Sequence, residues 1–366
     1  MALHRRAPCV KNPRSTVPTR LTIATLASAA PMGAQVYEEE IARRAPHVAP
    51  ELDVRRTVVR SLRSDLPGTD RLPAWVLGAA PSSVRRAAGR LVYPRSGLVH
   101  RMGLSLPPAP GPEVVTIHDT VAWRFPDEGT PEPHAAVEAR RAAAVVSVSR
   151  FSADDVAERL GLEHVDVVHN GVDDAFFHAE PLSKDDLARL GVDRPYVLHA
   201  GGSSQRKNLD GLAAAWRLVE RAVPGALLVL SGPPSTRRDA LFGPSRTATR
   251  VGRVPSHLVP GLVAGARAVV VPSLYEGFGL PAIEAMACGV PVVAADRSSL
   301  PEVCGDAALL VEPDADGIAE ALIAVLRGEA PVSDMIERGR ARARRFTWEA
   351  SATKHAEIWR RVLAAA

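Results

Sequence analysis

Nine short apolar runs recur along the chain with helix-like stretches between them, and this alternation restricts the possible folds more than any other feature. The first half carries LTIATLA at 21–27, EVVTIHD at 113–119, AAVVSVS at 143–149 and VDVVHNG at 165–171. The second half carries PYVLHAGG at 195–202, ALLVLSG at 226–232, ARAVVVPS at 266–273, VPVVAAD at 290–296 and AALLVEP at 307–313. Runs of this length separated by helical patterns read as strands of parallel sheets joined by crossover helices. The polar stretch DDAFFHAEPLSKDDLARLGVDR divides the two sets. The expectation is two doubly wound Rossmann-like α/β domains. Open sheets of this kind bind ligands beyond the carboxyl ends of their strands, so the facing edges should form one interdomain cleft. The boundaries expected are a disordered tail over 1–17, a first domain over 18–178, a linker over 179–194, a second domain over 195–345 and a terminal segment over 346–366.

Length agrees with this division, since 366 residues is long for one domain at roughly 100–200 residues each. Cys9, Cys288 and Cys304 make neither an even set nor a zinc-ligand spacing, which points to a reduced, cytoplasmic setting. LTIATLASAA follows basic residues and could be taken for an export signal. Its two Thr and its Ser, and its continuation into PMGAQVYEEEIARRA, read better as strand, glycine turn and helix. No run approaches the roughly 20 apolar residues of a membrane span. The 45 basic residues divide into 41 Arg and 4 Lys, a drift towards Arg that makes each retained Lys informative.

Segment 53–112 has no clean period, and between Arg55 and Arg101 it holds ten Arg against two acids, Asp65 and Asp70. A solvated face enriched in Arg by drift accounts for this. The sharper reading is a basic apron that meets an anionic acceptor or an anionic membrane surface, with Trp75, Val76 and Leu77 suited to insertion.

The densest motif is EGFGLPAIE at 276–284. It starts at the carboxyl end of one expected strand and runs into a helix with Pro281 in its first turn. Gly277 and Gly279 let backbone approach a ligand, and the free N–H groups of the helix start favour an anion or hydroxyls. Glu276 precedes those amides, and Glu284 lies about one turn inside the helix. A glycosidase pair would face each other across a bond. These two come from one loop and its own helix, so hydrogen-bond acceptors for sugar hydroxyls suit them better.

Residues 272–313, with Glu276 and Glu284 separated by seven residues and followed by GVPVVAAD and LPEVCGDAALLVEP, resemble the donor site of family 4 retaining glycosyltransferases of the GT-B fold. The resemblance covers 190–350 strongly and thins before 113. It implies a nucleoside diphosphate sugar as donor, with Glu276 on the sugar hydroxyls, Glu284 on the ribose, and the backbone amides of Gly277, Phe278, Gly279 and Leu280 on the sugar and diphosphate.

HAGGSSQRKN, 199–208, ends a strand in Gly201 and Gly202 and then supplies Arg206 and Lys207, a pairing suited to the charge that builds on a departing diphosphate. The family has a matching arginine and lysine, although some members place the arginine earlier. His118 and Asp119 sit at a strand end where the family commonly has His-Asp facing donor and acceptor. Gly33 lies where the family's first glycine loop covers the diphosphate, with MGAQ here in place of two adjacent glycines. Ser149, Asn170 and Gly171 match the family as architectural residues. The pair Asp314 and Asp316 has a metal-binding spacing but reads as helix capping, so no metal and no cofactor beyond the donor are expected. FTWEASATKHAEIWRRVL resembles the terminal helix that crosses back to the first domain in this fold.

The resemblance therefore implies hexosyl transfer with retention to a glycan, glycolipid or small-molecule hydroxyl. GDP-mannose is the first donor expected, since QRKN and SSLPEVCGDAALLVEP resemble the mannosyltransferase branch; UDP-sugars come next. Nucleic acid is not an expected partner. A catalytically silent nucleotide-sugar-binding protein is the alternative, and the intact Glu276, Lys207 and His118 argue against it. A Rossmann dehydrogenase is disfavoured because no G-x-G-x-x-G follows the first strand.

Overall fold

The computed structural model describes residues 18–28, 33–78, 80–243 and 245–366. The expected tail lies outside them. Two parallel sheets carry the molecule. The first orders its strands β3-β2-β1-β4-β5-β6-β7, from β1 (Arg20–Leu26), β2 (Asp53–Ser61), β3 (Asp70–Leu72), β4 (Leu98–Arg101), β5 (Glu113–Thr116), β6 (Ala144–Ser147) and β7 (Asp166–Val167). The second orders β10-β9-β8-β11-β12-β13, from β8 (Tyr196–Ala200), β9 (Leu227–Ser231), β10 (Ala248–Gly252), β11 (Ala268–Val271), β12 (Val292–Ala295) and β13 (Leu309–Val311). Every pairing is parallel, so each connection must cross over through a helix or loop. The central strands are covered on both faces: β5, β6, β11 and β12 are buried at every residue. That is why they appear in the sequence as unbroken apolar runs.

Four strands have no counterpart among the nine runs. β2 reads DVRRTVVRS and buries only Val59 completely within its run, because one strand alone, β3, lies outside it. β10 is an edge strand with no fully buried residue. β4, LVHR, is wholly buried, but its His100 and Arg101 disguise it. The stretch expected as a linker contains the short helix Lys184–Arg189.

The basic segment needs correction. Arg85 and Arg101 are not displayed on a surface; they are 1% and 0% exposed. Arg85 Nε donates to Glu138 at 2.7 Å and its Nη2 to the carbonyls of Leu104 and Leu106, each at 2.7 Å. Arg101 Nη1 donates to Glu138 at 2.8 Å and Nη2 to Glu113 at 3.2 Å. Two of the ten arginines thus balance carboxylates inside the first domain. Arg55 and Arg56 pair with Asp53 and Glu39 at 2.9 and 2.6 Å. Trp75 is 60% exposed, whereas Val76 beside it is buried in the domain core.

The chain passes between the domains twice. The second passage leads into the helix Trp348–Ala365, which packs on the first domain through Trp359, Arg360 and Arg361. The two passages touch: Val172 N–H donates to the Phe346 carbonyl at 3.0 Å. A Cβ at Gly171 would stand 2.1 Å from Trp348 N, so only glycine permits that approach.

Candidate active site

The loop 272–279 runs from the carboxyl end of β11 to the helix Leu280–Cys288. Gly279 caps the helix with φ +101°, in the left-handed region, and a Cβ there would lie 2.8 Å from Leu300 Cδ2. Both facts require glycine. Gly277 is demanded from the other side of the cleft: its Cβ would meet the His118 carbonyl at 3.0 Å and Asp119 Oδ2 at 3.2 Å. The glycines that make the loop supple also let the two domains close on one another.

Glu276 is 6% exposed and ringed by donors. Its Oε1 accepts from Lys207 Nζ at 2.6 Å and from Ser273 Oγ at 2.7 Å, and its Oε2 accepts from Arg206 Nη1 at 2.9 Å. Burial pushes this carboxyl up, but Lys207 and then Arg206 outweigh it and hold it at about 2. Burial draws the Lys207 ammonium down, against the opposing pull of Glu276. Arg206 also reaches across the cleft, with Nε 2.5 Å from Glu128 Oε1. Two cations and two carboxylates therefore balance in the cleft.

Glu284 differs. No described residue donates a hydrogen bond to its carboxyl, and burial, with the Asp173 charge, pushes it up to about 7. Phe278 turns its ring into an aromatic cluster with His169 and Phe346, centroids 6.0 and 5.6 Å away, leaving only its backbone for a ligand. Gly33 begins the helix Gly33–Val48, and a Cβ on it would lie 3.2 Å from Leu280 Cδ1. Gly202 lies just beyond β8, and its carbonyl accepts from Arg238 Nη2 at 3.2 Å. Asp119 Oδ1 accepts from Val121 N–H at 3.1 Å, and burial raises its carboxyl. The structure thus gathers Gly33, His118, Asp119, Arg206, Lys207 and the loop 276–280 around one interdomain cleft. Asp314 caps the helix Ala315–Arg327, accepting from Gly317 N–H at 2.8 Å.

Further residues brace this site beyond those expected to bind or react. Ser298, at φ +54°, accepts the Glu276 N–H at 2.9 Å, and Ser299 Oγ donates to the carbonyls of Glu276 and Phe278, each at 2.9 Å. Arg238, 2% exposed, fastens the glycine turn through the carbonyls of Gly201, Gly202 and Ser231. Ser149 Oγ donates to the Gly277 carbonyl at 2.6 Å, and Glu302 accepts from the N–H groups of Arg150 and Phe151 at 2.9 and 3.2 Å. These bonds hold the loop against the first domain.

Behind His118 lies a buried chain of hydrogen bonds whose direction follows from its partners. His355 Nδ1–H donates to the Ser351 carbonyl at 2.8 Å, so its Nε2 accepts from the Tyr37 hydroxyl at 2.6 Å. Trp359 Nε1–H donates to His100 Nδ1 at 3.1 Å, so His100 Nε2–H donates to Thr116 Oγ1 at 2.9 Å. The Thr116 hydroxyl then donates to Tyr37 at 3.0 Å. Burial keeps these imidazoles neutral, drawing His355 down to about 4. The Tyr37 ring meets His118 edge-on, with centroids 4.7 Å apart. His118 Nε2 is buried and has no hydrogen-bond partner among the described residues, and burial followed by His355 draws this ring down to about 4 as well. A neutral imidazole with an open nitrogen can exchange hydrogen bonds with hydroxyls.

The chain is similar to known glycosyltransferases. Residues 32–176 match the family model described as Glycosyltransferase Family 4, and residues 185–342 match glycosyl transferases group 1. The O-antigen chain mannosyltransferase B of Escherichia coli is 40% identical over 181 residues, covering 47% of this chain and 46% of that protein. The alpha-maltose-1-phosphate synthase of Mycolicibacterium smegmatis is 35% identical over 257 residues, covering 63% and 65%. The chain thus spans between about half and just under two thirds of these relatives' lengths. Among solved structures, sucrose-phosphate synthase from Thermosynechococcus elongatus superposes with a TM-score of 0.72 at 24% identity, covering 94% of this chain and 100% of that one. Anabaena HepE in complex with UDP-glucose gives 0.69 at 19%, covering 94% and 100%. Both share the fold.

Proposed function

Since this chain belongs to glycosyltransferase family 4, with the GT-B fold, we propose that it transfers a hexosyl group from a nucleoside diphosphate sugar to an acceptor hydroxyl, with retention at the anomeric carbon. The observation that carries the reading is the cluster of Glu276, Arg206 and Lys207 set opposite His118 and Asp119, with a helix N-terminus alongside. Its chemistry suits a diphosphate leaving group. Arg206 and Lys207 neutralise the oxygens that gain charge as the glycosidic bond breaks, and the amides at the start of Leu280–Cys288 add donors fixed in place. Glu276 positions both cations and then holds the sugar hydroxyls. Glu284 takes the ribose hydroxyls. The acceptor attacks on the face that the leaving group departs from, and a phosphate oxygen receives its proton, so no protein nucleophile is needed.

Mannose is the first donor sugar, supported by the name of the E. coli relative, and glucose the second, supported by the UDP-glucose held by the structural neighbour HepE. The reaction proceeds without a metal: Asp314 is engaged in capping its helix. No helix among the described residues is long and apolar enough to cross a membrane; we place the protein in the cytoplasm, with peripheral contact at an anionic membrane face. The test is mass-spectrometric screening of purified protein with GDP- and UDP-sugars in excess chelator. Release of the nucleoside diphosphate from one sugar nucleotide is expected. Release from none of them, or release only after manganese or magnesium is restored, would reject the corresponding part of the reading.

A further inference from the structure

Beyond the first turn of the helix Gly33–Val48 lies a cavity of about 650 Å³ that the chemistry above does not use. It opens at the carboxyl end of β1, beside Arg56 and Val58 of β2, and is closed by residues 66–69. Its volume falls in the roughly 300–1,000 Å³ range of small-molecule sites. Leu26, Val36, Val58, Leu66 and Pro67 give it apolar walls. Glu38 lines it at 8% exposure, and no described residue donates a hydrogen bond to its carboxyl.

The cations nearby are already engaged. Arg56 lies 2.6 Å from Glu39, and Glu40 is paired with Arg43 and Arg44. Glu38 is therefore the carboxyl in this cavity left without an ion pair, and the uncompensated charge there is negative. Burial, eased by Arg56 and reinforced by Glu39, pushes its carboxyl up to about 7, so near neutral pH it can both accept and donate a hydrogen bond. A buried carboxyl that no protein group satisfies is unfavourable unless something binds it. Apolar walls and one such carboxyl match a pyranose ring, which has a C–H face and hydroxyls at its rim. They oppose a phosphate or carboxylate, which would be desolvated beside a like charge.

The same helix forms one wall of the cleft. Gly33 abuts Leu280 and Tyr37 abuts His118, whereas Val36 and Glu38 face the cavity. We propose that the cavity is a subsite for the non-reacting part of the acceptor, that it takes an uncharged glycosyl unit with Glu38 gripping a hydroxyl, and that it discriminates against anionic groups. This rests on the transferase reading above.

Calorimetry with octyl α-D-mannoside and octyl β-D-glucoside as uncharged probes, and mannose 6-phosphate as the anionic one, tests it. Wild type, Val36→Trp and Glu38→Gln are titrated with GDP and UDP and then with each probe. Val36 is 43% exposed, so a larger side chain fills the cavity mouth without entering the core. At least one glycoside should bind wild type, and Val36→Trp should weaken it at least tenfold with nucleotide affinity unchanged. Mannose 6-phosphate should bind at least tenfold more weakly than the glycoside, and Glu38→Gln should narrow that gap. The subsite is refuted if neither glycoside binds, if Val36→Trp leaves glycoside binding intact, or if the phosphate binds as well as the glycoside. Glycoside binding without affinity for either nucleotide would support the subsite and reject the transferase reading instead.

Discussion

Lys207 Nζ stands 2.6 Å from Glu276 Oε1, and neither side chain is more than a tenth exposed. Each group is therefore the other's principal compensation in the absence of ligand, and removing one changes what its partner can do.

For Glu276→Gln, transfer should fall by about 10² to 10³, the usual loss for a positioned group in a dry site. Affinity for the nucleoside diphosphate should stay level or rise, because Arg206 and Lys207 lose the carboxylate that competes with phosphate for them. Steady-state rates and calorimetry with GDP and UDP measure the two effects. A parallel fall in nucleotide affinity would mean that Glu276 holds the nucleotide itself.

Glu284 carries a pH signature. Its folded carboxyl lies at about 7 against 4.5 unfolded, so the stability it contributes is fully present below 4.5 and is lost as pH rises through 7. An ionised carboxylate is also the better acceptor for ribose hydroxyls. Nucleotide affinity should therefore increase over the same interval in which thermal stability of the free protein decreases. Glu284→Gln should flatten both trends and raise the melting temperature at pH 8. If both pH trends are unchanged in Glu284→Gln, the carboxyl at 284 is not their source.

The directed chain through Tyr37 predicts a separation of stability from rate. Tyr37→Phe leaves His355 Nε2 without its donor and the Thr116 hydroxyl hydrogen without its oxygen acceptor, although Thr116 Oγ1 still accepts from His100, and an unmade buried bond typically costs about 1–3 kcal/mol. The ring edge against His118 remains. Urea unfolding should register the loss while kcat changes less than threefold. A large drop in kcat at unchanged stability would place the hydroxyl in the chemistry. Acid should act on the same chain from another side. Burial draws His355 below its unfolded value of 6.5, so stability is lost as pH falls from 6.5 through about 4.

Membrane contact, as proposed, must come from the arginines outside the core. Leu91, 84% exposed, follows Arg90 on the helix Ser82–Val92, whose Arg85 is buried. Sedimentation with anionic vesicles should show binding that fades with salt and falls on combined replacement of Arg90 and Leu91 by Ser. Arg85→Ser should act on folding instead, by about 3–5 kcal/mol for a broken buried pair. Equal partition onto neutral and anionic vesicles would discard the contact.

What the sequence reveals follows from how locally each feature is encoded. The loop 276–284 compresses two carboxylates, two glycines and a helix start into nine residues, so it stands out as a candidate site without a structure. The central strands are legible because both of their faces are buried. β4 is not, because His100 and Arg101 look like surface residues until Trp359 and Glu138 are placed beside them. The same applies to Tyr37 and His355, partners 318 positions apart, and to Glu38, which is followed by two acids, Glu39 and Glu40, with cations of their own. Residues matched through long-range packing have no short pattern to betray them.

The contact between Val172 and Phe346, made possible by Gly171, has a mechanical meaning. Two tethers joined to each other at one spot act as a single pivot, whereas tethers set well apart would brace the halves against turning. Rotation stays available, but sliding of one half along the other does not. A turn about this pivot would return Gly277 to the same seat beside His118 and Asp119, so covalent connectivity as well as weak bonds would keep the registration of the cleft. Spin labels flanking 171 and 347 should hold a constant spacing with and without GDP while labels across the mouth change theirs, and a variable spacing at the pivot would contradict this.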